Sequence, residues 1–116
     1  MSGFEDLQVW QRAVELSAAV YRSTAGLKDF GFRDQITRAA LSIASNIAEG
    51  MERSTAADRC KFLDYARGSA GEVRTQTIVG MKVGFIPEEA GRDWIGETKE
   101  ISAMLQGLIR SLRQQT

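Results

Sequence analysis

Arg38-Ala39-Ala40-Leu41-Ser42-Ile43-Ala44-Ser45-Asn46-Ile47-Ala48-Glu49-Gly50 is the stretch whose reading decides the fold. Wound at about 100° per residue, Ile36, Ala39, Ala40, Ile43, Ile47 and Met51 fall on one broad face, and Leu41 and Ala48 add apolar surface on a flank. Only a narrow polar strip remains: Arg38, Ser42, Ser45 and Glu49, two of them small serines. A solvated face normally carries long charged side chains, so the pattern predicts a central helix packed on most of its circumference. A nucleophile among Ser42, Ser45, Asn46 and Glu49 would need a neighbouring base, and the chain has no histidine to serve as one.

The 116 residues suit one domain with a real core, close to the size at which partners add stability. Fifteen Lys plus Arg balance fifteen Asp plus Glu, so no global field draws the chain towards nucleic acid or a membrane surface. No apolar run approaches the roughly 20 residues that a membrane span needs, and MSGFEDLQVW has no basic region followed by a hydrophobic one. The expected location is cytoplasmic. Cys60, the single cysteine, has no partner for an internal disulfide and reads as a small core residue. Without histidine, a zinc or di-iron site of the usual ligand types is not expected, nor is a cofactor.

One proline and almost no β-branched alternation make the class all-α. The periodicity predicts helices over about 6–24, 33–51, 56–83 and 88–113. The first starts near Glu5 or Asp6 and carries two apolar stripes, one of Leu7, Trp10, Val14 and Tyr21, the other of Val9, Ala13, Leu16 and Val20. Together they are wider than one partner buries, and Trp10 reads as a core anchor. Thr24 to Gly31 interrupts the pattern as a loop, with Gly26 and Gly31 as turn signals. Gly50 sits near the end of the second helix, and Ser54 or Thr55 caps the third, with Asp58 three residues after Thr55.

The third helix places Phe62, Leu63, Ala66, Ala70, Val73, Thr77 and Met81 on its core stripe. Its back carries Gly68, Gly71 and Thr75, although each interior glycine costs a helix roughly 1 kcal/mol relative to alanine. The expectation is that a second backbone approaches there, against the alternative of a merely loose helix. Arg67 and Arg74, one heptad apart, with Arg59 nearby in rotation, could touch phosphates; interleaved Asp58, Asp64 and Glu72 fit an ordinary solvated face instead. Gly84 ends this helix and Pro87 starts the fourth, in which Trp94, Thr98, Ile101, Leu105, Leu108 and Leu112 form a coiled-coil-like seam widened by Ile95, Met104 and Ile109. Short connections between four such helices give an antiparallel up-down-up-down bundle.

Several stretches carry a resemblance: Phe4-Glu5-Asp6-Leu7-Gln8-Val9-Trp10 with Ala13, Gln35-Ile36-Thr37-Arg38-Ala39-Ala40, Ser42 to Gly50, Phe62-Leu63, Ala66-Arg67-Gly68-Ser69 and Glu72. Through these, nearly end to end, the chain resembles the small bacterial four-helix bundle proteins called 23S ribosomal RNA intervening-sequence proteins, a group related to the accessory variability protein of diversity-generating retroelements. It departs from the pattern at Ala70 and Val73, where leucine is usual. The resemblance implies a ring-like homopentamer with no established enzymatic activity. The retroelement relatives look like basic, nucleic-acid-binding partners of a reverse transcriptase, from which this chain departs in its zero net charge.

Two functional expectations follow. The first is a non-catalytic homo-oligomeric bundle that acts as a binding or scaffold module towards itself, RNA or an unidentified protein. In it Arg38, Asn46 and Glu49 fix bundle register or a subunit contact through buried hydrogen bonds, and Gly68 and Gly71 belong to the same structural motif. The second is RNA binding through Arg53, Arg59, Lys61, Arg67 and Arg74 gathered around the oligomer. An enzyme ranks third: Tyr65, Lys61, Glu49 and Cys60 are chemically capable, but no spacing assembles a nucleophile with a base.

Overall fold

Four α-helices account for nearly all of the computed structural model, which describes residues 3–115: α1 (Gln8–Thr24), α2 (Phe30–Glu52), α3 (Ala56–Lys82) and α4 (Glu88–Gln114). Met1 and Ser2, part of the N-terminal stretch read above for a leader, lie outside the described residues. The protein is an all-α four-helix bundle, 46 × 22 × 22 Å, in which each helix packs on its sequence neighbour and α1 closes weakly on α4. Pairings along the seams run in opposite directions. Gln35 meets Gln76, Ser42 meets Ser69 and Gly50 meets Phe62 between α2 and α3, while Cys60 meets Ile109, Arg74 meets Thr98 and Met81 meets Gly91 between α3 and α4. Both seams are therefore antiparallel.

Some helix limits differ from the sequence expectation, and at three of them a local reason is visible. Glu5 and Asp6 belong to a separate 3₁₀ turn, Phe4–Asp6; Leu7 is extended, and α1 starts only at Gln8, whose neighbour Gln11 donates from Nε2 to the Glu5 carbonyl at 2.8 Å. Gly31 is helical rather than part of a loop, because the Asp29 carboxylate accepts from the Phe32 amide at 3.0 Å and caps α2 from Phe30 onward. Gly84 takes a φ of 81° just past α3, and the carbonyl of Gly80 accepts from the Phe85 and Ile86 amides, so α3 stops at Lys82. At the start of α3, Thr55 accepts from the Asp58 amide at 3.1 Å, as the spacing predicts.

The core sits on α2 and α3. Ile36, Ile43 and Ile47 are fully buried against Leu63, Ala66, Ala70 and Val73, and each isoleucine contributes about 1.5–3 kcal/mol by leaving water. Leu41 falls on the open side and is 48% exposed, so α2 keeps a solvent strip along Asp34, Arg38, Leu41, Ser45, Glu49 and Glu52. Of the two apolar stripes on α1, the one of Val9, Ala13, Leu16 and Val20 is buried, together with Ser17 and Thr24; Trp10 lies half-buried at the margin, edge-on to Phe4 at 5.3 Å, and Tyr21 is 45% exposed. In α3 Phe62 and Met81 are half-buried, and Cys60, Ser69 and Gly80 join the buried face. In α4 Ile109 replaces Leu108 in the buried row. A straight helix of 3.6 residues per turn drifts off a strict heptad, and by the last turns the drift has carried Leu108 to the flank.

Two glycines of different kinds bracket the α2/α3 contact. At Gly50 a Cβ would sit 3.1 Å from both the Arg59 carbonyl and the Phe62 Cβ, so this glycine permits the helices to approach and does not mark a stop. At Gly80 a Cβ would meet Ile86 and Phe32, which fixes where the chain folds back into α4.

Candidate functional site

The polar side of α2 divides into three parts once neighbours are placed. Ser42 Oγ lies 2.8 Å from Ser69 Oγ across the α2/α3 seam, and Asn46 donates from Nδ2 to the Ser42 carbonyl at 3.0 Å and to its hydroxyl at 2.9 Å. Because the amide nitrogen can only donate, Ser42 accepts there and has its own hydrogen available for Ser69. Asn46 thus reaches the inter-helix contact through Ser42. Arg38 and Glu49 do not make the expected buried hydrogen bonds within the protomer: both are exposed, and Glu49 pairs with Arg53 one turn on at 2.7 Å. Their positions on the outer face of α2, with no helix over them, explain the difference. Arg38 instead lines an open groove of 530 Å³ with Asp34, Gln35, Ser42 and Glu72.

The five basic residues singled out in the sequence do not form one stripe. Arg53, Arg59 and Lys61 gather at the α2–α3 turn around Phe62, with the Arg53 guanidinium 4.6 Å and the Lys61 ammonium 5.6 Å from its ring centre. Arg59 donates from Nε to the Arg53 carbonyl at 2.8 Å, and Phe62 is edge-on to Tyr65, which is 50% exposed. Beside them a groove of 620 Å³ is lined by Ala56, Ala57, Cys60, Lys61, Asp64, Tyr65 and Arg113. The Cys60 thiol is buried on its floor and donates weakly to the Ile109 carbonyl at 3.8 Å.

Arg67 and Arg74 lie further along, facing the α3/α4 seam. Arg67 bonds Asp64 at 3.1 Å, whereas Arg74 donates to Thr98 Oγ1 at 3.2 Å and Ser102 Oγ at 3.4 Å. With Gly68, Gly71, Asp64 and Ser102 they line a groove of 510 Å³. A Cβ on Gly68 or Gly71 would meet nothing within 4 Å. The second backbone expected there is therefore not supplied by this protomer: the seam places α4 beside the two glycines, and their outer side stays open.

The sequence reading missed the link between α1 and α4. Arg12 donates from Nε to Glu97 Oε2 at 2.9 Å, and its other nitrogens reach Glu97 Oε1 and the Met104 sulfur. The hydrogen bonds from Arg12 hold the Glu97 carboxyl below its usual range, partly opposed by desolvation, and the same bond raises the Arg12 pKa. Eighty-five positions separate the pair, so no local pattern marks it. Among the described residues no group of three or more His, Cys, Asp or Glu side chains is placed to hold a metal ion. Glu49, tied to Arg53, is not among the residues lining the groove of Lys61, Cys60 and Tyr65.

The family model described as 23S rRNA-intervening sequence protein matches residues 5–107, nearly the whole bundle. The chain belongs to this family. A solved structure from the S23 ribosomal protein family of Bacteroides thetaiotaomicron, of unknown function, is similar to this intervening-sequence protein with a TM-score of 0.81 and 24% identity. The match covers 87% of this chain and 97% of that one, and at this identity it shows the shared fold. No curated protein matches the chain. Two of the strings that carry the resemblance map onto the α2/α3 contact: Ser42 to Gly50 supplies Ser42, Asn46, Ile47 and the close approach at Gly50, and Ala66 to Ser69 supplies the facing Ser69. No helix is long and apolar enough to cross a membrane among the described residues.

Proposed function

We propose that this intervening-sequence protein is a non-catalytic, cytoplasmic, self-associating bundle that works as a binding or scaffold module, with the pentamer implied by its resemblance as the assembled form. The observation that carries this reading is the amount of apolar surface that four helices leave uncovered. Phe30, Ile78, Val79 and Val83 are 60%, 40%, 47% and 56% exposed. All four belong to the end of the bundle where the start of α2 meets the end of α3, where Phe32 packs edge-on to Phe85. Tyr21 and Leu41 add a second exposed pair on α1 and α2. Surface of this kind on so small a chain marks a place where another molecule sits. Sedimentation velocity tests the reading directly: the expected species has five times the 12.8 kDa of the chain, and a monomer at micromolar concentration would overturn it.

A second reading, RNA binding, has one specific observation in its favour: Arg53, Arg59 and Lys61 gather around Phe62, whose ring is edge-on to the exposed Tyr65, a combination of cations and a stacking surface suited to unpaired nucleotides. Arg67 and Arg74 stand apart from it. A gel-shift titration with structured RNA at two salt concentrations separates the two readings; salt-sensitive binding tighter than about 10 μM, lost in Lys61→Glu, supports the RNA reading.

A further inference from the structure

Arg74 is half-buried, yet its hydrogen bonds go only to the neutral hydroxyls of Thr98 and Ser102, and it is in no ion pair among the described residues. A partly covered guanidinium without a carboxylate is a charge set up to receive an anion, because reduced solvation makes an incoming opposite charge more favourable there than on an open surface. One heptad earlier, about 10.5 Å along the helix, Arg67 gives one nitrogen to Asp64 while its Nε is buried without a partner. Gly68 and Gly71 lie between the two arginines and leave the groove open to a close approach.

The complement to this groove is on the same chain. Asp93 and Glu100 are exposed, one heptad apart on the outer edge of α4, and neither is in an ion pair or hydrogen bond among the described residues. The field of Glu100 reaches Arg12, which already has Glu97 as its partner. Gly96 lies between the two carboxylates, so a second backbone can come near them as well. Glu100 and Ser102 are about 200° apart around the helix, so the acidic edge cannot fold into the groove of its own protomer.

We propose that the α3/α4 groove receives the outer edge of α4 from a second copy of this chain, with Arg67 and Arg74 meeting Asp93 and Glu100. The proposal rests on the self-association reading above and adds a charged contact, separate from the exposed apolar residues that carry that reading. Equal heptad spacing lets both charge pairs form at once, and a chain of zero net charge attracts its own complementary patch more readily than a polyanion. Groove and edge are different surfaces, so the contact is heterologous and repeats head to tail until a ring closes.

Charge reversal and swap decide it, read by sedimentation equilibrium at low salt on the full chain, with circular dichroism to establish that each variant is helical. Arg74→Glu and Glu100→Arg are each expected to weaken association by about tenfold or more, and the doubly reversed protein to regain most of it. Arg67→Glu with Asp93→Arg forms an independent second pair. Glu100 is exposed, so its reversal reports on association even where a change at half-buried Arg74 disturbs folding. Wild-type assembly with unaltered single variants, or a double variant no better than the singles, overturns the proposal and leaves self-association standing. A monomeric wild type overturns both. Intact assembly combined with loss of oligouridylate binding in Arg74→Glu also overturns it, and assigns the groove to nucleic acid.

Discussion

Ser42 on α2 and Ser69 on α3 share a hydrogen bond of 2.8 Å, and Asn46 joins it by donating into the Ser42 hydroxyl. This small polar bridge links the helix pair with the most extensive contact, at a point where the Ser42 and Ser69 side chains set the register of α2 against α3. Ser69→Ala is expected to cost about 1 kcal/mol, because Ser69 is buried and its loss leaves the Ser42 hydroxyl without its inter-helix partner. A melting temperature lowered by about 4 °C checks this. The Ser42→Ala/Ser69→Ala double variant should cost less than the sum of the two.

The glycines divide into two classes with opposite expected effects. Gly50→Ala pushes a Cβ to 3.1 Å from the Arg59 carbonyl, a backbone atom held by the α3 start, so it destabilises despite the gain of roughly 1 kcal/mol in helix propensity. Gly68→Ala meets open space and should raise protomer stability by about 0.5–1 kcal/mol. Urea unfolding of the two variants side by side, at a concentration where assembly is constant, gives the sign of each.

Thr77 is fully buried in the middle of the core stripe, and its hydroxyl has no hydrogen-bond partner. Thr77→Val exchanges the orphan hydroxyl for a methyl of similar shape. A gain of about 1 kcal/mol is expected, read as a higher melting temperature. Thr24 and Thr98, equally buried, bond the Val20 and Ile95 carbonyls, so the same exchange at either position should bring no gain.

Stability should fall with acid through the Arg12–Glu97 pair. Glu97 titrates lower in the folded state than its ordinary value near 4.5, chiefly because Arg12 hydrogen-bonds its charged form. The unfolded chain therefore binds the proton first; the contribution is complete above that ordinary value and fades as pH drops through the lower folded one. The two side chains are 31% and 27% exposed, so solvent screening limits the pair to about 1 kcal/mol. Glu97→Gln should melt below the wild type at pH 7, with the gap narrowing towards pH 3. A gap independent of pH would assign the role to packing.

What the sequence by itself determined is local. Three- and four-residue apolar steps, a single proline, the Thr55 cap with Asp58 three residues on, and the Ser42 to Gly50 string are enough for four helices and for the buried face of α2, because helix formation and capping depend on neighbours within about one or two turns. The packing of α2 on most of its circumference that the same string predicts is not found, since Leu41 and the strip around it stay open. What only the tertiary structure decided is which of several acceptable choices is buried. Two apolar stripes on α1 compete, and the one with Val9 and Val20 goes inside while Tyr21 is left out. Ile109 displaces Leu108, because helix twist accumulates over the length of α4. Gly50 and Gly68 look alike in sequence, and only the presence of Phe62 beside one and empty space beside the other gives them opposite roles. The five basic residues look like one surface until the α2–α3 turn collects Arg53, Arg59 and Lys61 and the α4 hydroxyls draw Arg74 away. Such outcomes depend on pairs separated by tens of residues, as with Arg12 and Glu97, whose energies no local window contains.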